Sequence, residues 1–503
     1  MLLLGIDVGT SSIKVSVIEA ATQKIIETVQ YPETESEIIS LQTGWAEQSP
    51  DQWWNDVQAA IKKANAGGKY NPAAIRAIGI AYQMHGLVLV DKEGKTLRNS
   101  IIWCDSRAVP YGDAAFEKIG KAKCLTHLLN SPGNFTAAKL AWVKEHEPEL
   151  YGKIDKILLP GDFIAYRLTD TATTTASALS EGIFWDFTTH SIAKDVLDYF
   201  GFDPQLFPTV QEVFSEHGKV SGKVAAELGL TAGIPVTYKA GDQPNNALSL
   251  NVLNAGEVAA TAGTSGVIYG VADQLVFDQQ SRLNSFAHVN HSPETIRTGV
   301  LLCINGTGIM NRYVKQLAGP QLTYKEFDQQ ASSINAGSDG LHILPFGNGA
   351  ERIFNNKIVG AHFENIDLNK HTAPHFFKAA QEGIAFAFKY GFDIMQSNGM
   401  QPLRIRAGKA NMFLSKVFTE AFVNVIGVPV ELYDADGSAG AAKGAGIGKH
   451  YYASAVEACN VQQSITFIEP VNCSLYQELY QQWLHTLHKH HIQQRLLLKK
   501  RIF

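Results

Sequence analysis

Apolar positions open this chain in a block. Leu2, Leu3, Leu4 and Ile6 run into Asp7, Gly9, Thr10 and Ser11, and a second β-favouring run, Ile13 to Ile18, follows at once. The pattern predicts two strands joined by a tight hairpin with an acid, a glycine and hydroxyls at its tip. Ser49-Pro50-Asp51 has the composition of a helix start, and Trp53, Trp54, Val57, Ala60 and Ile61 recur at helical spacing behind it. Ile75 to Ala81 reads as a strand, and Leu87 to Val90 as another that turns at Asp91-Lys-Glu-Gly94. A helix is predicted over 135–150, with Phe135, Leu140, Trp142 and Val143 on it. Helix and strand patterns alternate to about residue 250, and after Asn254-Ala255-Gly256 the strand-turn-strand pattern begins again. Residues 375–396 predict a long helix whose Phe377, Ala380, Ile384, Phe388, Phe392 and Met395 form one apolar stripe. Such a stripe is core packing rather than a cofactor site.

The tip of the first hairpin carries the first chemistry. Backbone N–H groups at such a turn can converge on an anion. Gly9 lets the chain approach a ligand closely because it has no Cβ. Thr10, Ser11 and Ser12 add hydroxyls, and Asp7 can hold a hydrated divalent cation. Nucleotide phosphate with Mg²⁺ is the ligand this implies. A Gly-Thr-Ser turn alone is as often a plain turn, but a second copy exists. Residues 256–269 again run β-like into Gly263, Thr264, Ser265 and Gly266 and return as strand. Two such turns half a chain apart predict an internal duplication of one phosphate-binding domain. Neither the dinucleotide fingerprint G-x-G-x-x-G nor the P-loop pattern is present.

Composition narrows the class. At 503 residues, two to three domains are expected, and 45% hydrophobic against 18% charged residues is ordinary for a globular protein. The net charge of −5 gives no reason to expect a nucleic-acid surface. Cys104, Cys124, Cys303, Cys459 and Cys473 are odd in number and widely spaced, which suits a reducing compartment better than a disulfide framework. Met1-Leu-Leu-Leu lacks a basic lead and is interrupted by Asp7, so it does not read as a signal peptide. With no apolar run of spanning length, the expectation is a cytoplasmic protein without a membrane partner. The tail, 451–503, is rich in Gln, His and Lys and predicts a C-terminal helix. Its His485, His488, His490 and His491 read as a solvated face before they read as metal ligands.

Other polar clusters follow strands. Gly241-Asp242-Gln243-Pro244 comes after the strand Pro235 to Ala240, in a loop where a catalytic carboxylate often sits. In phosphoryl transfer such a group accepts the proton of the attacking hydroxyl. An Asx-turn or helix cap is its plain alternative. Gln83-Met84-His85-Gly86 follows the strand ending at Ala81 and offers groups that exchange hydrogen bonds with a polyhydroxylated ligand. Asp105 and Arg107 after Trp103 could bind sugar hydroxyls or simply pair with each other, and Trp45 offers an aromatic face or anchors a loop. Arg406 to Asn411 follows a strand over 403–405 and is expected to open a helix, with Gly408 where a flat ring could approach. Asp436 to Ala442 starts a small-residue helix suited to close packing.

Across roughly residues 1–450 these features resemble the FGGY carbohydrate kinases of the actin-like ATPase superfamily. Residues 5–14 are similar to that family's first phosphate motif and 262–266 to its second. Asn134 to His146, with Lys139 and Trp142, resembles its first signature except at Asn134, and Glu382-Gly383 resembles the start of its second. Gln83 to Gly86, Trp45 to Gln48, Trp103 to Arg107 and Leu158 to Phe163 are most similar to the xylulokinase branch.

The resemblance implies an α/β fold of two duplicated actin-like (ribonuclease H-like) domains with an interdomain cleft. Residues 1–250 would bind sugar and phosphate and end in the catalytic base, 251–450 would bind ATP, and 451–503 would be a helical tail. It implies an ATP- and Mg²⁺-dependent kinase acting on the terminal hydroxyl of D-xylulose, with another sugar kinase of the family (for gluconate or ribulose) or a non-kinase actin-like ATPase as alternatives. Asp242 would be the base, and Gln83, Met84, His85, Trp103, Asp105 and Gln243 would meet the sugar. Gly9, Thr10, Ser11, Lys14, Gly263, Thr264 and Ser265 would contact phosphates, Gly408 and Lys409 the adenosine, and Asp7 the metal through water. Sugar and ATP are the expected partners, with room for a homodimer and none for nucleic acid. Three stretches depart from the family pattern: Arg406-Ala407-Gly408-Lys409, Asp242-Gln-Pro-Asn-Asn, and Ala350-Glu351-Arg352-Ile353.

Overall fold

The computed structural model describes residues 1–459 and 464–500. The opening apolar block is strand β1, Leu2–Val8, and the hairpin returns as β2, Ile13–Glu19, and then β3, Ile25–Tyr31. Helix α1, Pro50–Ala66, starts where expected: Ser49 caps it by accepting from Gln52 N, and Pro50 occupies its first turn. Strands β4, Ile75–Tyr82, and β5, Val236–Gly241, complete a sheet of order β5-β4-β1-β2-β3. β1 pairs antiparallel with β2 and parallel with β4, and β4 pairs parallel with β5. The predicted helix over 135–150 forms as α2, Thr136–His146, and is then broken at Glu147, ahead of Pro148.

The second half repeats this plan. Its strands are β6, Val258–Ala262, β7, Gly266–Ala272, β8, Asn284–Ala287, β9, Thr298–Ile304, β10, Ile405–Gly408, β11, Val430–Tyr433, and β12, Thr466–Ile468. They lie in the order β8-β9-β7-β6-β10-β11-β12. The central five match the first sheet strand for strand: β6 is antiparallel to β7, β7 to β9, and β6, β10 and β11 run parallel. Each domain thus begins with a hairpin whose tip lies at the carboxyl end of its first strand. Helix α4, Ala373–Ser397, lays its predicted apolar stripe into the core of this domain.

One helix joins the domains. α5, Gly437–Gly448, follows the second sheet in sequence but packs on the first, against β1, β2, β4 and β5. A Cβ at Gly5 would lie 1.8 Å from the Ser438 carbonyl oxygen, and one at Gly79 would lie 1.9 Å from that of Ala441. Glycine on the sheet and glycine and alanine on the helix are therefore what permit the contact.

The expected tail is more than an appendage. β12 extends the second sheet, and α6, Cys473–Lys500, buries Tyr476, Tyr480, Trp483 and Leu487 in the second core. His485 and His488 are exposed, His490 is half-buried, and the side chain of His491 lies outside the described residues. Among the described residues, no helix is long and apolar enough to cross a membrane.

Candidate active site

β5 ends at Gly241 and α3, Asp242–Ser249, begins at once, so Asp242 occupies the first helical position rather than the loop expected for it. Gly241 is the cap, and a Cβ there would meet Met84 Cγ at 2.7 Å. The Met84 turn can pack beside Asp242 only because residue 241 has no side chain. Burial pushes the Asp242 carboxyl up to about 6, and hydrogen bonds from the Gln243 side chain (Nε2 to Oδ2, 3.2 Å) and backbone oppose it.

Asp7 lies near the end of β1. Burial, then the charges of Asp242 and Asp436, push it up to about 7, while Lys14 pulls it down. Asp436 arrives from the far end of the chain as the cap of α5, accepting from Ser438 N and Ala439 N. Lys14 Nζ lies 3.0 Å from Asp436 Oδ2, so the amine expected at a phosphate is shared with a carboxylate. Three acids and one lysine converge here from three segments distant in sequence: the first hairpin, the start of α3 and the cap of α5.

The first turn is braced from behind. Gly9 N donates to Ser12 O at 3.1 Å. The Thr10 hydroxyl donates to Gln83 Oε1 at 3.1 Å and accepts from Trp103 Nε1 at 3.0 Å. Gln48 Nε2 donates to the Thr10 carbonyl at 2.8 Å, and Gln83 Nε2 donates to Gln48 Oε1 at 3.0 Å. Gln83 is buried and each of its amide atoms makes one bond in this network, so it braces the first turn. Trp103 is half exposed with its ring beside the same turn. Ser11 is exposed at the tip.

His85 is another residue expected at the sugar. Its backbone has φ 66°, and its carbonyl accepts from Thr136 Oγ1 and from Lys139 Nζ at 2.8 Å. The ring packs on Phe135 and Phe286, and Nδ1 sits 2.9 Å from the Glu181 carbonyl. A carbonyl only accepts, so Nδ1 carries the proton. Burial, aided by Lys139 and Arg352, pushes the imidazole down to about 3, so the ring is neutral and Nε2 presents a lone pair. Burial likewise pushes Lys139 down to about 7, and Glu181 beneath is held well above the carboxylate range, again by burial first.

Asp105 corrects an expectation. It is fully buried, and both its oxygens accept: from Arg107 Nε and Nη2, from Arg107 N, and from Ala46 N at 2.6 Å. The pairing alternative holds, and the carboxylate cannot reach a ligand. Arg107 in turn lies 3.8 Å from the Trp45 ring centroid, which makes Trp45 a loop anchor.

The second turn faces the Gly306–Gly308 loop: Gly308 N donates to Gly263 O at 2.9 Å and Ile309 N to Thr264 O at 3.2 Å. Thr264 is exposed, and Gly263 and Ser265 are half-buried. Gly408 ends β10 instead of opening a helix; a short 3-10 turn, Asn411–Leu414, precedes the helix Lys416–Ile426. Lys409 N donates to the Tyr433 carbonyl and its side chain is exposed. Asn411, absent from the expected site, has φ 52° and lies beside Gly263. Arg352 reaches over the Phe135 ring at 5.4 Å, and Glu351 accepts from Asn305 N and Gly306 N. A cavity of about 930 Å³ lined by Arg107, Tyr111, Trp142 and His146 contains none of the expected site residues.

Known proteins share both the chain and the fold. The N-terminal domain model of the FGGY family of carbohydrate kinases matches residues 2–249. A xylulose kinase of Staphylococcus epidermidis is 30% identical over 401 residues, 79% of this chain and 77% of that protein. The chain belongs to the FGGY family of carbohydrate kinases. A xyloylose kinase from Brucella ovis has the same fold (TM-score 0.88, 25% identity, 98% of this chain and 100% of that one). So does a gluconate kinase from Lactobacillus acidophilus (TM-score 0.87, 21% identity, 97% and 98%). The two repeated sheets are accordingly the two actin-like domains of an FGGY kinase. This FGGY kinase is an ATP-dependent sugar kinase.

Proposed function

We propose that this FGGY kinase transfers the γ-phosphate of ATP to the terminal hydroxyl of D-xylulose with Mg²⁺, in the cytoplasm. The observation that carries the reading is Asp242: a carboxyl raised to about 6, at a helix start between two hairpins that repeat one phosphate-binding plan. A base needs a pKa near the working pH, so that it is ionised yet still basic. Asp242 takes the hydroxyl proton, and the sugar oxygen attacks the γ-phosphorus as its bond to the β–γ bridging oxygen breaks and ADP leaves. His85 Nε2 accepts from a second sugar hydroxyl, Met84 gives the apolar wall, and Gln243 flanks the base. Asp7, with Asp436 near it, suits a hydrated divalent cation, because a cation there offsets the mutual repulsion of the acids. Mg²⁺ supplies neutralisation of phosphate charge when bound.

In this reading residues 1–250 hold the sugar and the base, with the hairpin of Gly9, Thr10 and Ser11 on the phosphates. Residues 251–450 hold ATP through Gly263, Thr264, Ser265, Gly408 and Lys409. The xylulose kinases among its relatives support the ketopentose acceptor. A sugar acid such as gluconate is the second reading, because among the described residues the Arg352 guanidinium near His85 has no carboxylate partner. An ADP-release assay across ketopentoses, gluconate and glycerol separates the two. Activity on gluconate or glycerol with none on D-xylulose removes the xylulose assignment.

A further inference from the structure

Far from the cleft, the second domain gathers three metal-ligating side chains that phosphoryl transfer does not use. His362 and Glu364 stand on the strand Lys357–Glu364, which pairs with His342–Glu351 in a hairpin. His490 comes from α6. One ring nitrogen of each histidine and a Glu364 oxygen lie within 4.8 Å of one another. The two imidazoles stack with centroids 3.9 Å apart, and His490 Nε2 is 2.7 Å from Glu364 Oε1. His362 Nε2 is 3.0 Å from the Val359 carbonyl. A carbonyl behind an imidazole sets its tautomer and orientation, as it does behind metal-bound histidines. All three residues are half-buried, which limits their freedom but leaves a path for an ion.

The neighbours fit a cation site with one competitor. His342 sits opposite Glu364 in the hairpin, but its Nδ1 is held by Thr486 Oγ1 at 2.8 Å. Lys489 Nζ is 3.9 Å from Glu364, with over half of its side chain exposed, so it can turn away to solvent. We propose that His362, Glu364 and His490 form a site for a divalent transition-metal ion of the zinc type, which staples α6 to the hairpin. Two imidazoles and one carboxylate are a donor set that zinc accepts, with a fourth position left for water. Imidazole donors favour zinc, nickel or copper over magnesium, so the site does not duplicate the one at Asp7. The hairpin pairs Glu364 with His342 at one end and Glu351 with Lys357 at the other. His362 and Glu364 stand five and seven residues along their strand from Lys357, which puts the site ~17–23 Å from the Arg352 end of the hairpin. The ion therefore takes no part in the phosphoryl transfer proposed at Asp242.

Untagged full-length protein, stripped with EDTA and dialysed, is titrated with Zn²⁺ against a chromophoric chelator, and its melting temperature is followed by circular dichroism. One equivalent should bind, and the melting temperature should rise until that equivalent is filled. His362→Gln and His490→Gln should each weaken binding at least about tenfold, and the double variant should lose the equivalent. The metal-free melting curves of these variants show whether they are folded, and their kinase activity should match the parent's. A His485→Gln/His488→Gln variant should bind as the parent does. Absence of a bound equivalent, or one that survives in the His362/His490 double variant, overturns the proposal.

Discussion

The position of the acid limb of the pH–rate profile tests Asp242 most directly. An ordinary aspartate titrates near 3.9 and would be ionised almost completely at pH 5 to 6. Burial places the Asp242 carboxyl at about 6 instead. If it accepts the hydroxyl proton, only its ionised form is active. Activity should then rise with pH through about 6. At pH 5 about a tenth of the plateau should remain, with a slope of one on a logarithmic plot. The hydrogen bonds that oppose this rise come from the Gln243 side chain and the backbone at the helix start, so the limb should not depend on which sugar is used. The measurement is kcat/KM for D-xylulose by coupled ADP release from pH 4.5 to 8, at saturating ATP and Mg²⁺ and constant ionic strength. Asp242→Asn keeps the shape and removes the base, so turnover should fall by about 10²–10⁴ with sugar binding retained, and the limb should vanish from the residual rate. A limb near pH 4, or a variant within tenfold of the parent, would refute the assignment of Asp242 as base.

Three further outcomes follow from the same geometry. Asp7→Asn removes the acid whose carboxyl is raised by burial and by Asp242 and Asp436; the Mg²⁺ concentration for half-maximal rate should rise several-fold, read by titrating Mg²⁺ at fixed ATP. Gly5→Ala puts a methyl group 1.8 Å from the Ser438 carbonyl and forces α5 off the sheet; a loss of about 1–3 kcal/mol is expected from denaturant melts, and an unchanged midpoint would mean the contact is softer than it looks. Gln83→Leu breaks the bonds to Thr10 and Gln48 without touching the expected sugar position; the KM for ATP should rise while that for sugar stays within about twofold, and the reverse split would return Gln83 to the sugar site.

The turns that carry the candidate site are legible in the sequence because their residue pattern is local. Gly9-Thr10-Ser11 and Gly263-Thr264-Ser265 each interrupt a β run, and both fold as hairpins at the carboxyl end of a domain's first strand. Asp242 after an apolar strand was equally readable, although the helix starts one residue sooner than a loop would allow. Asp105 misled because an acid near a tryptophan resembles a sugar contact; only its full burial against Arg107 shows that it is already used. The carboxylate paired with Lys14 has no signal near it in the sequence, since it lies 422 positions away. Asp436, Glu181 and Asn411 gave no signal of their own: each is a common polar residue whose meaning comes from what it sits beside.

Local order, in this protein, is a property of the sequence alone. Alternating and continuous apolar runs dictate strands, helical spacing dictates α1 and α4, and Ser49 with Pro50 dictates where a helix begins. These depend on hydrogen bonds and burial between near neighbours, so a short window contains their cause. Only the tertiary structure decided that α5, encoded after the second sheet, would pack on the first. Its glycines and alanines say that it packs closely, but not on what. That choice rests on Gly5 and Gly79, hundreds of residues upstream, which leave the sheet surface flat enough to receive it. The same contact carries Asp436 to Asp7, so the acid cluster exists only once α5 has docked on the first sheet.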